Sequence, residues 1–142
     1  MAWVSSCGGL ALANAGLGAV HGLAGVIGGK TKAPHGEICG ALLPAVLRSH
    51  FRKAEPCSEV AQRLHWILQH INAQFSQTPA DDGLATLQLW TKNMGLPGLR
   101  EIGLALSDGP QIATAAANAS SMKGNPFVLS QAELLEILHD AF

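Results

Sequence analysis

The stretch that organises this chain is NAGLGAVHGLAGVIGGKTKAPHGEICGALLP, residues 14–44. Its two histidines, His21 and His35, stand fourteen positions apart, with Gly28, Gly29 and Pro34 between them. That separation exceeds the three or four residues that bring side chains together on one helical face. We therefore expect His21 deep in one helix and His35 at the start of the next, with a turn at the two glycines.

Two imidazoles placed in this way can bind one divalent metal ion, because each offers a neutral ring nitrogen. The residues alone leave a second interpretation open, since a histidine on an apolar helix is more commonly a hydrogen-bonded core residue. Cys39 also has two interpretations, a thiol beside the metal or a small buried apolar side chain, and the second is the commoner. The candidate oxygen ligands by chain position are Glu37, Asp81, Asp82 and Asp108. Each of these carboxylates is equally well explained as a charge at the start of a helix.

The same stretch resembles the signature of the iron-containing (group III) alcohol dehydrogenases. In that family the signature has the form NAGLGxVHxxAHxxGG, followed by PHGxxxAxLLP. This sequence matches it at residues 14–18, 20–21, 24, 28–29, 34–36 and 42–44. The tail segment ASSMKGNP, residues 119–126, is most similar to the maleylacetate reductase branch of the family.

This resemblance implies that His21 and His35 are two of four metal ligands, with iron or zinc as the divalent metal. It assigns the other two, an Asp and a His, to an N-terminal Rossmann-like half that binds NAD(P) and is missing from these 142 residues. Leu12 and Ser121 match substrate-pocket positions. Gly25 replaces a histidine that the family often places near the nicotinamide, so we expect a larger pocket without a proton relay there.

Helical periodicity runs through nearly every segment, and no run alternates with period two. We expect an all-α helical bundle in one domain over residues 1–142. The resemblance implies the C-terminal fold of the dehydroquinate synthase-like and iron-containing alcohol dehydrogenases. No charged side chain occurs in residues 2–29, so we expect the first two helices to be wrapped on all sides by the bundle.

The third helix should begin near Gly36, kink at Pro44 and give way to a charged exit over residues 48–55. Ser130 and Glu133 predict a capping box at the start of the last helix.

The fifth helix should be capped by Thr78, with Pro79 in its first turn. Its inward-facing residues are then predicted to be Leu84, Leu87, Trp90 and Met94.

Composition excludes several classes of partner and site. A net charge of −1 favours neither a nucleic-acid surface nor an anionic membrane. Three cysteines without a CxxC spacing indicate reduced thiols and a cytoplasmic location, not a disulfide framework or a zinc knuckle. A signal peptide or a membrane span is disfavoured because no basic segment precedes the apolar stretch, and Asn14 and His21 would be costly in lipid.

We therefore expect the metal-binding helical half of an NAD(P)-dependent iron-type alcohol dehydrogenase or maleylacetate reductase, truncated and inactive alone. The alternative is a non-catalytic helical module that self-associates or reassembles with a separate nucleotide-binding chain. Without its nucleotide-binding half, the module should expose apolar surface that includes Trp3, Val4 and Leu10. The simplest way to bury this surface is a homodimer through the first two helices. The alternative is that the first helix folds back onto the bundle.

Overall fold

The computed structural model describes residues 2–76 and 82–142, and this part of the chain contains helices and no strand. The all-α prediction is therefore confirmed. The α-helices are α1 (Ala2–Ala15), α2 (Ala19–Gly28), α3 (His35–Lys53), α4 (Glu59–Phe75), α5 (Gly83–Asn93), α6 (Gly109–Ala117) and α7 (Gln131–Ala141). Two short 3-10 segments cover Leu106–Asp108 and Ser120–Gly124.

Helices α2, α3, α6 and α7 enclose the main core. Helix α2 packs against α3 and α6, and α7 packs against the same two helices. Burying one such aliphatic side chain stabilises a fold by about 1.5–3 kcal/mol, so this cluster holds α2 and α3 firmly together. Its largest fully buried side chains are Leu23, Ile27, Ile38, Leu42, Leu99, Ile112, Leu134, Ile137 and Leu138.

The start of α2 is held by a distant part of the chain. Helix α1 ends at Ala15 and is followed by Gly16, whose φ of +76° lies in the left-handed region that favours glycine. The backbone N–H of Ala19, the first residue of α2, then donates to Asn125 Oδ1 at 3.0 Å. Asn125 is itself oriented, because its Nδ2 donates to the carbonyl of Phe127 at 2.8 Å. This side chain satisfies one of the free N–H groups at the helix start.

The turn between α2 and α3 forms at the glycines, as predicted. The N–H of Lys30 donates to the carbonyl of Ile27 at 2.9 Å, and Thr31 Oγ1 donates to the same carbonyl at 3.2 Å. The Lys30 ammonium then reaches Asp108 Oδ1 at 3.3 Å and Gln111 Oε1 at 2.7 Å. The turn is thereby tied to the start of α6.

The expectation that both N-terminal helices are wrapped by the bundle is wrong for α1. No residue of α1 is buried, whereas α2 buries half of its length. The reason is geometric, since the two helix axes differ in direction by 105° and only α2 runs between α3 and α6. Among the described residues no single helix is long and apolar enough to cross a membrane; the bent pair α1 and α2 meets the length and composition criteria only together.

Helix α3 is longer than predicted. It runs without interruption through the buried Pro44 to Lys53, so the basic part of the charged segment lies within the helix. The charges are accommodated by α7, because Arg48 and Arg52 approach Asp140 at 3.5 Å and Lys53 approaches Glu133 at 2.5 Å. The predicted kink at Pro44 stays a prediction.

Helix α5 begins later than predicted, at Gly83. Asp82 caps it, because its Oδ1 accepts from the N–H of Leu84 at 3.1 Å. A Cβ at Gly83 would lie 2.5 Å from the carbonyl oxygen of Leu68, so only glycine fits where α5 begins beside α4. The predicted cap Thr78, its neighbour Pro79, and Asp81 lie outside the described residues.

The inward face of α5 is shorter than predicted. Leu84 and Leu87 are buried, but Trp90 and Met94 are exposed. The Trp90 ring packs instead on Phe75 of α4, with ring centroids 4.6 Å apart, at the rim of the α4–α5 pair.

The capping box of α7 is confirmed. Ser130 Oγ accepts from the N–H of Glu133, and Glu133 Oε2 accepts from the N–H of Ser130 at 2.7 Å. The hydrogen bond from Lys53 and these serine contacts lower the pKa of Glu133 to about 2. The end of α3 and the start of α7 are thus joined by one ionic contact.

Candidate metal centre

The two predicted histidines meet across the glycine turn. His21 is the third residue of α2, and His35 is the first residue of α3. Their ring centroids are 5.4 Å apart, and the ring planes are inclined at 47°. The prediction that these imidazoles approach each other is confirmed. They do so because the Asn125 cap fixes the start of α2 and the core holds α2 against α3.

A cysteine completes the cluster. Cys39 Sγ lies 3.4 Å from His35 Nε2, one helical turn further along α3. Ligand atoms of His21, His35 and Cys39 all lie within 4.8 Å of one another, the one group of three such donors in the described residues. Cys39 is half-buried against the core and its thiol also stands beside the imidazoles, so features of both interpretations are present. Partial burial raises the pKa of Cys39.

The donor set fits a metal ion of the zinc and iron class, for which imidazole and thiolate are ordinary ligands. His35 is exposed and His21 is half-buried, so an ion can reach the cluster from solvent. No carboxylate of the described residues belongs to the group. Asp108 is engaged by Lys30 and by the N–H of Ala105, Asp82 caps α5, and Glu37 lies in the first turn of α3.

An open groove of about 420 Å³ adjoins the cluster. His21 and Cys39 line it, together with His50 and Asn125 and a set of apolar side chains: Ala19, Val20, Leu43, Val46, Leu47 and Pro126. The mostly apolar lining suits a small organic molecule with few polar groups.

Sequence reasoning missed His50, which is 7% exposed and has no hydrogen-bond partner at Nε2. Burial lowers the pKa of this imidazole, and the nearby Asn125 side chain partly opposes the shift. Its ring packs edge-on to Phe127, with centroids 5.6 Å apart. The spacing held a signal, because His50 continues at intervals of four the buried positions Leu42 and Val46.

The three predicted substrate-pocket residues lie elsewhere. Leu12 is exposed on α1, and Ser121 is half-buried in the second 3-10 segment. Gly25 is exposed one turn after His21, and a Cβ there would meet no atom within 4 Å. None of the three lines the groove beside His21, and their substrate roles stay predictions.

A larger groove of about 780 Å³ lies between the end of α3 and α4. It is lined by Phe51, Cys57, His65 and Trp66 among others, and contains no group of three donor side chains. The cluster and this larger groove are therefore separate features of the molecule.

Comparisons with known proteins agree with the motif. The profile of the Fe-containing alcohol dehydrogenase family, C-terminal, matches residues 1–142. The 1,3-propanediol dehydrogenase of Klebsiella pneumoniae is 29% identical over 144 residues, which cover 100% of this chain and 36% of that protein. The lactaldehyde reductase of Escherichia coli strain K12 is 28% identical over 136 residues, 94% of this chain and 35% of that enzyme.

The fold agrees as well. A crystal structure of 1,3-propanediol oxidoreductase superimposes with a TM-score of 0.67 and 27% identity, covering 89% of this chain and 33% of that one. The chain thus spans about a third of the length of these relatives. It belongs to the Fe-containing alcohol dehydrogenase family, as the all-helical C-terminal domain of that family.

Proposed function

We propose that this chain is the metal-binding helical half of an NAD(P)-dependent alcohol dehydrogenase, with His21 and His35 as metal ligands. The observation that carries the proposal is the meeting of two imidazoles from different helices, with ring centroids 5.4 Å apart. His35 is exposed and His21 is half-buried, so an ion can reach both ring nitrogens from solvent.

When bound, an iron or zinc ion would polarise an alcohol or carbonyl oxygen while hydride passes to or from the nicotinamide. The chain's own residues have three tasks around it. His21 and His35 each present a neutral ring nitrogen. The Asn125 cap and the α2–α3 packing hold those nitrogens in place. The groove beside His21 gives part of the site an apolar lining.

The substrate class is a small alcohol or the matching aldehyde. The relatives reported above are named for 1,3-propanediol and lactaldehyde, and another relative is an NAD-dependent methanol dehydrogenase of Bacillus methanolicus. A groove of about 420 Å³ accommodates molecules of this size. The assignment to the maleylacetate reductase branch rests on the tail segment alone and stays a prediction.

The dinucleotide needs a phosphate seat at the end of a strand, and the described residues contain no strand. We therefore expect NAD(P) to bind through a separate nucleotide-binding half, and this chain alone to show no turnover. The alternative function is a non-catalytic helical module, favoured by the apolar side chains that α1 exposes. A cytoplasmic location stays a prediction from the free cysteines.

Metal binding tests the proposal directly. The purified chain, stripped of metal, should bind a single divalent ion in a calorimetric titration with Zn²⁺ or anaerobic Fe²⁺. His21→Ala and His35→Ala should each weaken metal binding by about tenfold or more. Losing a residue that only orients a ligand already costs that much, and losing the ligand itself should cost at least the same. His70→Ala is the matched control, because His70 is exposed on α4 outside the cluster.

Two results would contradict the proposal. Equal metal affinity in a His21→Ala/His35→Ala double variant would remove these residues as ligands. Turnover of 1,3-propanediol with NAD by the isolated chain, lost in His21→Ala, would show that no separate nucleotide-binding half is needed.

A further inference from the structure

The first turn of α2, which contains His21, begins without a local cap. The residue before it is Gly18, which has no side chain that could accept from the free N–H groups of this turn. The first hydrogen bond within the helix runs from the N–H of Gly22 to the carbonyl of Gly18, at 3.0 Å. Helix ends open more easily than helix centres, so this turn needs a contact from elsewhere to hold His21 in place.

Asn125 supplies that contact from a distant part of the chain. Its Oδ1 accepts from the N–H of Ala19, which lies 106 positions earlier in the sequence. Its Nδ2 donates to the carbonyl of Phe127, and the Phe127 ring packs on the buried His50 of α3. The cap is therefore anchored on α3, the same helix that carries His35.

The tail segment and the start of α2 approach too closely for added side chains. A Cβ at Gly124 would overlap the carbonyl oxygen of Leu17, just before α2. A Cβ at Gly18 would lie 3.0 Å from Asn125 Oδ1. The fit between these two backbones therefore sets where the first turn of α2 lies relative to the tail segment.

We propose that Asn125 is a positioning residue for His21, because it holds the first turn of α2 closed and so aligns this imidazole with that of His35. The inference rests on the proposed metal site and adds to it a residue that is not a ligand. Metal binding should then respond to a substitution at position 125 that leaves both histidines in place.

Hydrogen exchange in the metal-free chain is the first readout. Asn125→Ala deletes the acceptor for the N–H of Ala19, so the first turn of α2 should open more often, by about the fivefold that one lost cap represents. NMR should detect this opening as faster exchange of the Gly22 amide, whose hydrogen bond closes that turn.

Zn²⁺ affinity, measured by calorimetric titration, is the second readout. Asn125→Ala should weaken binding by about fivefold, a smaller loss than in His21→Ala. Asn118→Ala is the matched control, because Asn118 is an exposed asparagine whose Nδ2 donates to the carbonyl of Thr114 at the end of α6. This control should change neither the Gly22 exchange rate nor the Zn²⁺ affinity.

A local cap should replace the distant one. Gly18 has an extended backbone, with φ −133° and ψ −158°, and serine is among the residues preferred at the position before a helix. Gly18→Ser in the Asn125→Ala background should therefore restore most of the exchange protection and of the Zn²⁺ affinity. Gly18→Ala in the same background adds the Cβ without the hydroxyl and should restore neither.

Gly18→Ala in the otherwise unchanged chain tests the same contact if Asn125→Ala loses its helical circular dichroism spectrum. The added Cβ would stand 3.0 Å from Asn125 Oδ1 and would push that oxygen away from the N–H of Ala19. Zn²⁺ binding should then weaken, although every side chain of the tail segment is retained.

The outcomes separate this inference from the proposed function. Zn²⁺ binding that is lost in His21→Ala but unchanged in Asn125→Ala overturns the positioning role and leaves the metal site intact. A loss that Gly18→Ser fails to restore also overturns it, because the tail segment would then act through packing and not through the cap. A parent chain that binds no Zn²⁺ overturns both proposals, and the Gly22 exchange rate then reports on the cap alone.

Discussion

Helices α1 and α2 are alike in sequence and opposite in their environment. Both are rich in alanine and glycine, and neither carries a charged side chain. Yet α1 has no buried residue, and α2 buries Ala19, Gly22, Leu23, Ala24 and Ile27. Apolar composition predicts that a helix needs covering, and the neighbouring helices decide whether it is covered.

The difference lies in what each helix meets. Helix α2 has α3 on one side and α6 on another, and its first turn is capped by Asn125. Helix α1 leaves this core at an angle of 105° to α2, and Trp3, Val4 and Leu10 are each at least 66% exposed. The histidine cluster lies on the covered helix, because His21 belongs to α2 and the packing of α2 against α3 brings its imidazole to His35.

Matched leucine substitutions should separate the two helices most strongly. Leu23 is fully buried in α2, and Leu10 is 66% exposed on α1. Leu23→Ala should lower the free energy of unfolding by about 2–5 kcal/mol, through lost burial and the cavity left behind. Leu10→Ala should change it by less than about 0.5 kcal/mol.

Urea denaturation followed by circular dichroism measures both values. Equal destabilisation by the two substitutions would mean that α1 is covered in solution, by a second copy or by folding back onto the core. The difference in burial between α1 and α2 would then hold for the isolated chain only.

Self-association should have the next largest effect, because the exposed apolar side chains of α1 favour a partner. We expect a homodimer that buries α1 and at least about 1,200 Å² in total. Leu10→Glu should weaken the dimer by about tenfold or more, since it places an unpaired charge in the interface. Leu89→Glu is the control, because Leu89 is 61% exposed on α5, away from α1.

Sedimentation velocity across micromolar concentrations distinguishes the outcomes. A parent chain that stays monomeric would remove the homodimer. The apolar surface of α1 would then be left to a nucleotide-binding chain or to a fold-back of the first helix.

Acidification should have the smallest effect and act on the core alone. Burial lowers the pKa of His50 below its ordinary 6.5, so the unfolded chain binds more protons than the folded one. The stability that the neutral imidazole contributes is therefore complete above about pH 6.5 and is lost as the pH falls toward the folded-state pKa. The metal-free chain should melt at progressively lower temperatures below pH 6.5.

His50→Gln keeps a neutral polar side chain of similar reach and should remove that part of the pH dependence. Glu133, with its pKa near 2, contributes a separate loss at lower pH, as the pH falls from about 4.5. An unchanged melting profile between pH 7 and 5 in both the parent and His50→Gln would show that protonation of His50 is not coupled to folding.

Local signals in the sequence predicted much of this structure. The glycine break and the segment that begins at Pro34 predicted where α2 ends and α3 begins, and hence that His21 and His35 meet. The capping box at Ser130 and Glu133 predicted the start of α7. These predictions hold because turns and caps depend on a few neighbouring residues.

Other features depended on contacts between distant segments. The charged end of α3 stays helical because Asp140 and Glu133 of α7 pair with its basic residues. Helix α5 starts at Gly83, where Asp82 caps it and the backbone lies close to Leu68 of α4. No local pattern contains those partners, so the sequence predicted a different boundary in each case.

The sequence by itself determined the helical class, the family and the meeting of His21 with His35. Periodicity, glycine turns and a long motif are local properties of the chain. Only the tertiary structure decided that α1 is bare and α2 covered, that Asn125 caps α2, and that the Cys39 thiol stands beside the imidazoles. The physical reason is that burial and close approach belong to pairs of segments. The type of a residue sets which contacts it can make, and the helix packed against it sets which of those contacts form.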